Sequence, residues 1–242
     1  MKTKLVAFIT VFFLGSMVCK AQELKLDDIL SSYYKAIGIE KMKDWQTLTS
    51  TGKTIAQGME FPVKIFMKRP GKIRIEAEVQ GNKMIQSFDG DHGWSVTPWA
   101  GSSDPQDMTT DEVKGMKTQA DIEGSLYNWK EKGHKVELIG KEDMEGTSVY
   151  KIKLTRADGD IETYFMDAEN FVPLKVSAIT KIQGNETESE SDLSNYRVVN
   201  GVLMAKTITN KFKGQTVSQF EMDKMEVNLP VSDSLFMKPV KK

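Results

Sequence analysis

Short segments in which apolar and polar residues alternate one by one recur along most of this 242-residue chain. In the clearest example, Glu60 and Lys64 stand among the alternating apolar residues Met59, Phe61, Val63, Ile65 and Met67. A second run, Ile73, Ile75, Ala77 and Val79, follows directly after Arg69-Pro70-Gly71. A period of two places alternate side chains on one face of a strand, so the pattern predicts antiparallel strands with one apolar face each.

The same rhythm continues almost to the end of the chain. Two short strands are predicted to end at Phe88 and to run from Trp94 to Pro98, and seven more follow Gly133, at 136–139, 149–156, 161–166, 171–182, 186–199, 202–212 and 216–227. Gly-containing turns separate several of them, such as Asn200-Gly201 and Lys213-Gly214. About 11 strands exceed what an open twisted sheet holds without curling. We therefore predict a mainly β fold, a strongly curved antiparallel sheet that forms a half-closed β-barrel.

About three helices are predicted to cover the concave side of this sheet. The first is indicated by apolar residues at helical spacing before Gly38, namely Leu26, Ile29, Leu30, Tyr33 and Ile37. Two more are predicted between Ala100 and Gly133, where Thr109 with Glu112 and Thr118 with Asp121 resemble helix-start signatures. Because three helices are few for so large a concavity, an apolar cavity is expected to remain.

The N-terminus has the three-region pattern of a secretory signal peptide. Two lysines precede the apolar stretch from Leu5 to Val18, and Ala21 precedes the expected cleavage site before Gln22. The chain is thus divided into a signal peptide, 1–21, and a single domain, 22–242. A lipid anchor at Cys19 is not expected, because Ser16 and Val18 depart from the lipobox pattern. Export to the periplasm is the predicted localisation.

Charge and composition exclude several classes of protein. The chain has 33 basic and 34 acidic residues, and removal of the leader takes Lys2, Lys4 and Lys20 with it. An acidic mature chain gives no electrostatic footprint for nucleic acid. With 39% hydrophobic residues, the chain is too apolar to be disordered.

Catalytic and metal-binding motifs are not found in the sequence. The two histidines, His92 and His134, lie in no metal-ligand spacing, and Asp89–Gly93 is better interpreted as a tight turn than as a calcium loop. Neither a nucleophile elbow nor a phosphate-binding glycine loop is present. We predict no enzyme activity, no catalytic residue, no metal and no cofactor.

The apolar face of the first two strands is the candidate binding surface. Its predicted lining residues are Met59, Phe61, Val63, Ile65, Met67, Ile73 and Ile75. Twelve of the 14 methionines lie outside the leader, and such flexible side chains suit a cavity for acyl chains, although they also fill loose cores. The residues predicted to form a lid or rim are Trp94, Trp99, Ile122, Leu126 and Trp129.

Six segments of the chain together resemble one known family. They are Tyr34–Lys41, Leu48–Lys53, Lys68–Glu76, Phe88–Trp94 with Pro98, Tyr127–Leu138 and Asp233–Phe236. As a set they are similar to outer membrane lipoprotein-sorting proteins of the LolA/LolB-like group, in particular to its Bacteroidetes-type members. The resemblance covers nearly all of the mature chain.

The resemblance implies a half-closed barrel wrapped round helices, with an apolar cavity for acyl chains. It implies a periplasmic carrier, expected to be a monomer, that takes lipoproteins or other lipids toward the outer membrane between membrane-bound donor and acceptor proteins. Two alternatives remain open. One is a non-catalytic envelope scaffold whose concavity is filled by its own side chains, and the other is an enzyme acting on lipids or glycans.

Overall fold

The computed structural model describes residues 24–100 and 102–240, and its main element is one antiparallel β-sheet. The thirteen strands in these residues are β1 (Thr47–Ala56), β2 (Met59–Lys68), β3 (Lys72–Val79), β4 (Asn82–Phe88), β5 (Gly93–Thr97), β6 (Ser102–Asp107), β7 (Lys135–Met144), β8 (Thr147–Thr155), β9 (Ile161–Asp167), β10 (Pro173–Ile182), β11 (Asn185–Val199), β12 (Val202–Phe212) and β13 (Gln215–Val227).

The strands follow the spatial order β6-β5-β4-β3-β2-β1-β13-β12-β11-β10-β9-β8-β7. The first and last strands in sequence therefore pair at the middle of the sheet, and β6 and β7 are its edges. The sheet is curved and does not close, which confirms the predicted fold class. The predicted count was about 11 strands. One strand that the prediction missed is β6, which lies inside the stretch predicted as a loop and two helices.

Two α-helices, α1 (Leu26–Ile37) and α2 (Thr110–Gln119), pack against this sheet. Gly38 ends α1 in the left-handed conformation, and Thr109 and Glu112 form a capping box at the start of α2, as predicted. Short 3-10 helices occupy Ile39–Asp44, Pro98–Ala100 and Asp233–Leu235.

The prediction of a helix beginning near Thr118 is wrong, since residues 121–133 form consecutive turns. Thr118 does not cap a new helix; its hydroxyl donates back to the Lys114 carbonyl within α2. Gly124 and Asn128 have φ angles of 75° and 51°, in the left-handed region that an α-helix cannot include. We call residues 121–134 the turn segment.

Several hairpins use two-residue turns whose central residues are both left-handed. Examples are Glu145-Gly146, Asn200-Gly201 and Lys213-Gly214, with φ values between 49° and 86°. This geometry matches the right-handed twist of the flanking strands. The predicted turn positions are therefore confirmed at these three places.

Two apolar clusters bury the helices against the concave face of the sheet. The first joins β1–β4 to α2 and the end of α1, and it includes Ile37, Trp45, Ile73, Phe88 and Met116. The second joins the start of α1 to β7–β9, and it includes Ile29, Leu30, Ile152, Leu154 and Met166. Tyr33 and Tyr34 contact both clusters, so α1 connects the two halves of the sheet.

The C-terminal segment covers part of the convex face. Phe236 is completely buried, and its carbonyl accepts hydrogen bonds from Ser87 Oγ at 2.9 Å and Trp94 Nε1 at 2.8 Å. Arg74 Nη1 donates to the Leu235 carbonyl at 3.0 Å. The outer face of β3–β5 is thus partly desolvated by residues that are distant in sequence.

The predicted signal peptide, its cleavage site and Cys19 lie outside the described residues. Among residues 24–100 and 102–240, no helix combines the length and apolar character needed to span a membrane.

Candidate functional site

The seven predicted lining residues lie on the concave face of the sheet. Val63 is opposite Ala77, Ile65 is opposite Ile75, and Met67 is opposite Ile73 in the β2–β3 register. Directly opposed residues share a face, and alternation brings Met59 and Phe61 to the same side. Because Ile73 and Met67 belong to the first cluster, this is the face that the helices cover.

Burial of these residues changes along the strands. Met67 and Ile73 are 9% and 3% exposed and pack in the first cluster. Phe61, Ile65 and Ile75 are only half-buried, although Val63 beside them is 8% exposed, and Met59 is 38% exposed. The concave side is therefore filled near α1 and open toward the β1–β2 hairpin.

An apolar stripe crosses the open part of the concave face. Five neighbouring strands each contribute one residue to it, and each residue pairs directly with the next. In order across the sheet they are Phe61 on β2, Thr54 on β1, Phe220 on β13, Ile208 on β12 and Leu193 on β11. All of these side chains are half-buried. We define the apolar stripe as Phe61, Phe220, Ile208 and Leu193. The last three were not predicted, because their positions beside Phe61 depend on strand pairings between distant parts of the chain.

A cavity of about 620 Å³ lies between α2 and the concave face of β9–β12. Its wall on α2 includes Asp111, Lys114 and Thr118. The sheet and the turns beside it contribute mainly polar and small residues together with two isoleucines, namely Arg156, Asp160, Ile161, Glu162, Ala178, Thr180, Lys181, Ile182, Ser189, Ser191 and Asn210. The volume lies within the range of typical small-molecule sites.

Four of the six charged side chains that line this cavity are joined in opposite pairs, and the other two are Asp111 and Lys181. Lys114 Nζ lies 2.6 Å from Asp160 Oδ1, and Arg156 Nη1 lies 3.2 Å from Glu162 Oε1. Ser125 Oγ donates to Glu162 Oε1 at 3.1 Å. The Tyr164 hydroxyl donates to the other oxygen of Glu162, and burial, with the carboxylate beside it, raises the pKa of Tyr164 well above its usual value. The network therefore keeps buried charges compensated.

Trp94 does not border the concave side. It pairs with Ser87 on the convex face, where it is 2% exposed beneath Phe236. Trp99 is 61% exposed in the 3-10 helix after β5.

The other three predicted lid residues lie in the turn segment. Leu126 is 2% exposed in the second cluster, Trp129 packs against that cluster, and Ile122 packs against the first. The segment therefore bridges the two clusters by apolar contacts.

Polar contacts also hold the turn segment in place. Tyr34 donates to the Leu126 carbonyl at 2.6 Å, and Lys132 Nζ lies 2.6 Å from Asp121 Oδ2. Glu123 accepts hydrogen bonds from the Arg69 guanidinium. These contacts link the segment to α1 and to the β2–β3 turn.

The histidines occupy two different environments. His92 is in the turn that Asp89 closes by accepting the backbone N–H groups of Asp91 and His92, as predicted. His134 Nδ1 accepts the backbone N–H of Ala157 at 3.2 Å. In the part of the chain that the structure describes, no three or more His, Cys, Asp or Glu side chains are grouped so that they could hold a metal ion.

Comparisons with known proteins give structural matches at low sequence identity. No family model matches the chain, and no curated protein matches it in sequence. A DUF1329 family protein from Desulfovibrio piger has a TM-score of 0.58 at 13% identity, over 86% of this chain and 97% of that chain. A LolA superfamily protein from Nitrosomonas europaea has a TM-score of 0.58 at 15% identity, over 85% and 97%.

A third solved structure has a similar fold. A domain from Vibrio parahaemolyticus, predicted to be an outer membrane lipoprotein-sorting protein, has a TM-score of 0.55 at 11% identity, over 86% of this chain and 95% of that chain. At these identities the matches concern the fold. They confirm the fold that the sequence resemblance implied.

Proposed function

We propose that this chain, which has the fold of LolA superfamily proteins, is a periplasmic carrier that binds lipid acyl chains on its concave face. The observation that carries the proposal is the open part of that face. There the apolar stripe is half-exposed beside a cavity of about 620 Å³, whereas the two clusters fill the region round α1. Contiguous exposed apolar surface is typical of ligand-binding grooves.

Acyl-chain burial supplies the binding energy in this proposal. Each methylene group moved from water to the stripe contributes about 0.8 kcal/mol. No covalent step is needed, and release requires only that the acyl chain leave the groove. Lipoproteins or other lipids would be the cargo, and membrane-bound donor and acceptor proteins would be the partners.

An envelope scaffold is the alternative, and the packing round α1 supports it. Ile29, Ile39 and Leu126 are almost fully buried, so this part of the concavity is filled by the protein's own side chains. A scaffold of this kind would bind no lipid. A lipid-binding experiment therefore separates the two functions.

The first prediction concerns the apolar stripe. Phe61→Glu and Ile208→Glu should each weaken binding of a fluorescent fatty acid by at least about tenfold, because an unpaired carboxylate in an apolar groove is costly. Binding would be measured by fluorescence titration of the purified chain lacking residues 1–21, with circular dichroism to show that each variant is folded.

Phe66→Glu is the matched control. Phe66 is half-buried between Ile65 and Met67 on β2, and it therefore points to the opposite face of the sheet. It should leave fatty-acid binding unchanged. If the folded concave-face variants bind as the parent does, the stripe is not the site. If the parent itself binds no fatty acid, the carrier function is wrong.

A further inference from the structure

The polar cavity beneath α2 adjoins the apolar stripe. Ser191 is opposite Asn210, and Leu193 is opposite Ile208, two residues further along the same two strands. Residues two apart in a strand point to the same face and are about 7 Å apart. An amphiphile with its chain on the stripe would therefore place its head group in the cavity.

Uncharged hydrogen-bonding groups line the sheet side of this cavity. Ser191 Oγ donates to Asn210 Oδ1 at 2.9 Å, and Asn210 Nδ2 donates to Ser218 Oγ at 3.1 Å. Each of these groups keeps further capacity, since a hydroxyl has two acceptor lone pairs and an amide has two N–H donors. Within residues 24–100 and 102–240, the Ser189 hydroxyl has no hydrogen-bond partner. Ser189, Ser191 and Asn210 can thus both donate hydrogen bonds to a ligand and accept them from it.

The formal charges of the six charged side chains at the cavity sum to zero, with Lys114, Arg156 and Lys181 against Asp111, Asp160 and Glu162. Lys114 pairs with Asp160 and Arg156 pairs with Glu162, while Asp111 accepts the backbone N–H of Gln183 at 2.9 Å. A charged head group would therefore give the cavity an excess of charge or compete with the two ion pairs. A neutral head group with several hydroxyls meets no such cost.

We propose that the cavity beneath α2 selects lipids with a neutral, hydroxyl-rich head group, such as a sugar. This proposal rests on the proposed carrier function. The acyl chain lies on the apolar stripe, and the hydroxyls of the head group hydrogen-bond to Ser189, Ser191 and Asn210. The two ion pairs, together with Asp111 and Lys181, form the charged part of the wall and leave the cavity without excess charge.

The test compares amphiphiles that each contain one twelve-carbon chain, counting the carboxyl carbon of the fatty acid. Dodecyl maltoside, lauric acid and dodecyltrimethylammonium, each below its critical micelle concentration, compete with a fluorescent fatty acid for the purified chain lacking residues 1–21. Dodecyl maltoside should bind about fivefold or more tightly than either charged amphiphile, the effect of one or two added hydrogen bonds. The double variant Ser191→Ala/Asn210→Ala should remove this preference and leave laurate binding unchanged.

Ser194→Ala is the matched control for this site. Ser194 follows Leu193 on β11 and pairs with Thr207, so it points to the opposite face of the sheet. It should retain the preference for the maltoside. Three results would each overturn the head-group inference while the carrier function stands. They are equal affinities for all three amphiphiles, tighter binding of a charged one, and a preference for the maltoside that survives the double variant. If none of the amphiphiles and no fatty acid binds, the carrier function itself is wrong.

Discussion

His134 lies where the turn segment meets β7, and its ring acts as a hydrogen-bond acceptor. Nδ1 accepts the backbone N–H of Ala157, so the neutral form of the ring suits the folded state. Burial lowers the pKa of His134 below its usual 6.5, and the nearby Arg156 guanidinium lowers it further. A pKa that is lower in the folded state means that the unfolded chain binds more protons. This contribution to stability is therefore complete above the unfolded pKa and is lost as the pH falls through the folded pKa.

The direction of this pH dependence can be tested. The free energy of unfolding should decrease between about pH 8 and about pH 5.5, above the range in which carboxylates titrate. His134→Asn should make this decrease smaller, and His92→Asn should retain it, because the His92 side chain is 84% exposed. Urea titrations at several pH values measure the effect. An equal pH dependence in both variants would assign it to groups other than His134.

Individual residues also show where prediction from sequence stops. Alternation places Ile65 and Ile73 on one face, because the side-chain period of a strand is two. It does not reveal that Ile73 is packed opposite Phe88 while Ile65 stays half-exposed, since burial depends on what covers each position. The sequence does not reveal which face of the sheet Trp94 lies on, because Phe236, which covers it, is 142 residues away.

At the scale of elements, local sequence signals predict the hairpin turns correctly but do not predict the structure of the turn segment. Asn200-Gly201 and Lys213-Gly214 specify their hairpins by backbone preference alone. The spacing of Ile122, Leu126 and Trp129 resembles one face of a helix, but Gly124 and Asn128 divide the segment into turns. Its position is set by distant partners such as Arg69 and Tyr34, and no local pattern encodes these.

The turn segment is the element that we expect to open for lipid exchange. Glu123→Gln keeps the shape of the side chain but removes its charge opposite Arg69. This should increase the rate of probe release about fivefold, the equivalent of roughly 1 kcal/mol for a partly exposed ion pair. Stopped-flow dilution of the fluorescent fatty-acid complex measures the rate.

Glu131 supplies the control within the same segment. It is exposed, so Glu131→Gln should leave the release rate unchanged. Release from Glu123→Gln at the parental rate would indicate that the turn segment stays closed during exchange. The gate would then lie elsewhere.

At the scale of the whole molecule, we expect the residues of the continuous sheet to unfold as one cooperative unit. Trp45 lies in the first cluster, Trp129 packs against the second, and Trp94 lies on the convex face, so intrinsic fluorescence can report each region separately. Variants that keep only Trp45 or only Trp129, with phenylalanine at the other tryptophan positions, should unfold in urea with the same midpoint. That result is expected because α1 and the sheet couple the clusters. Separate midpoints would divide the chain into two units.

The predicted curvature came from counting strands, whereas the order of the strands could not be read from the sequence. Consecutive hairpins are local and follow from the turns. The pairing of β1 with β13 is not local, since Leu48 lies opposite Val227. Strands with similar alternation could pair in several ways, and only the packing of the complete chain selects this one.

That central pairing also dictates when the protein can fold during its synthesis. β1 is among the first strands to be made, yet one of its two neighbours is the last. Until residues 215–227 have been added, the nascent chain has an unpaired edge at β1, and the two halves of the sheet are joined only through the segment from β6 to β7. The pairing of β1 with β13 is therefore a step that follows translation of all thirteen strands.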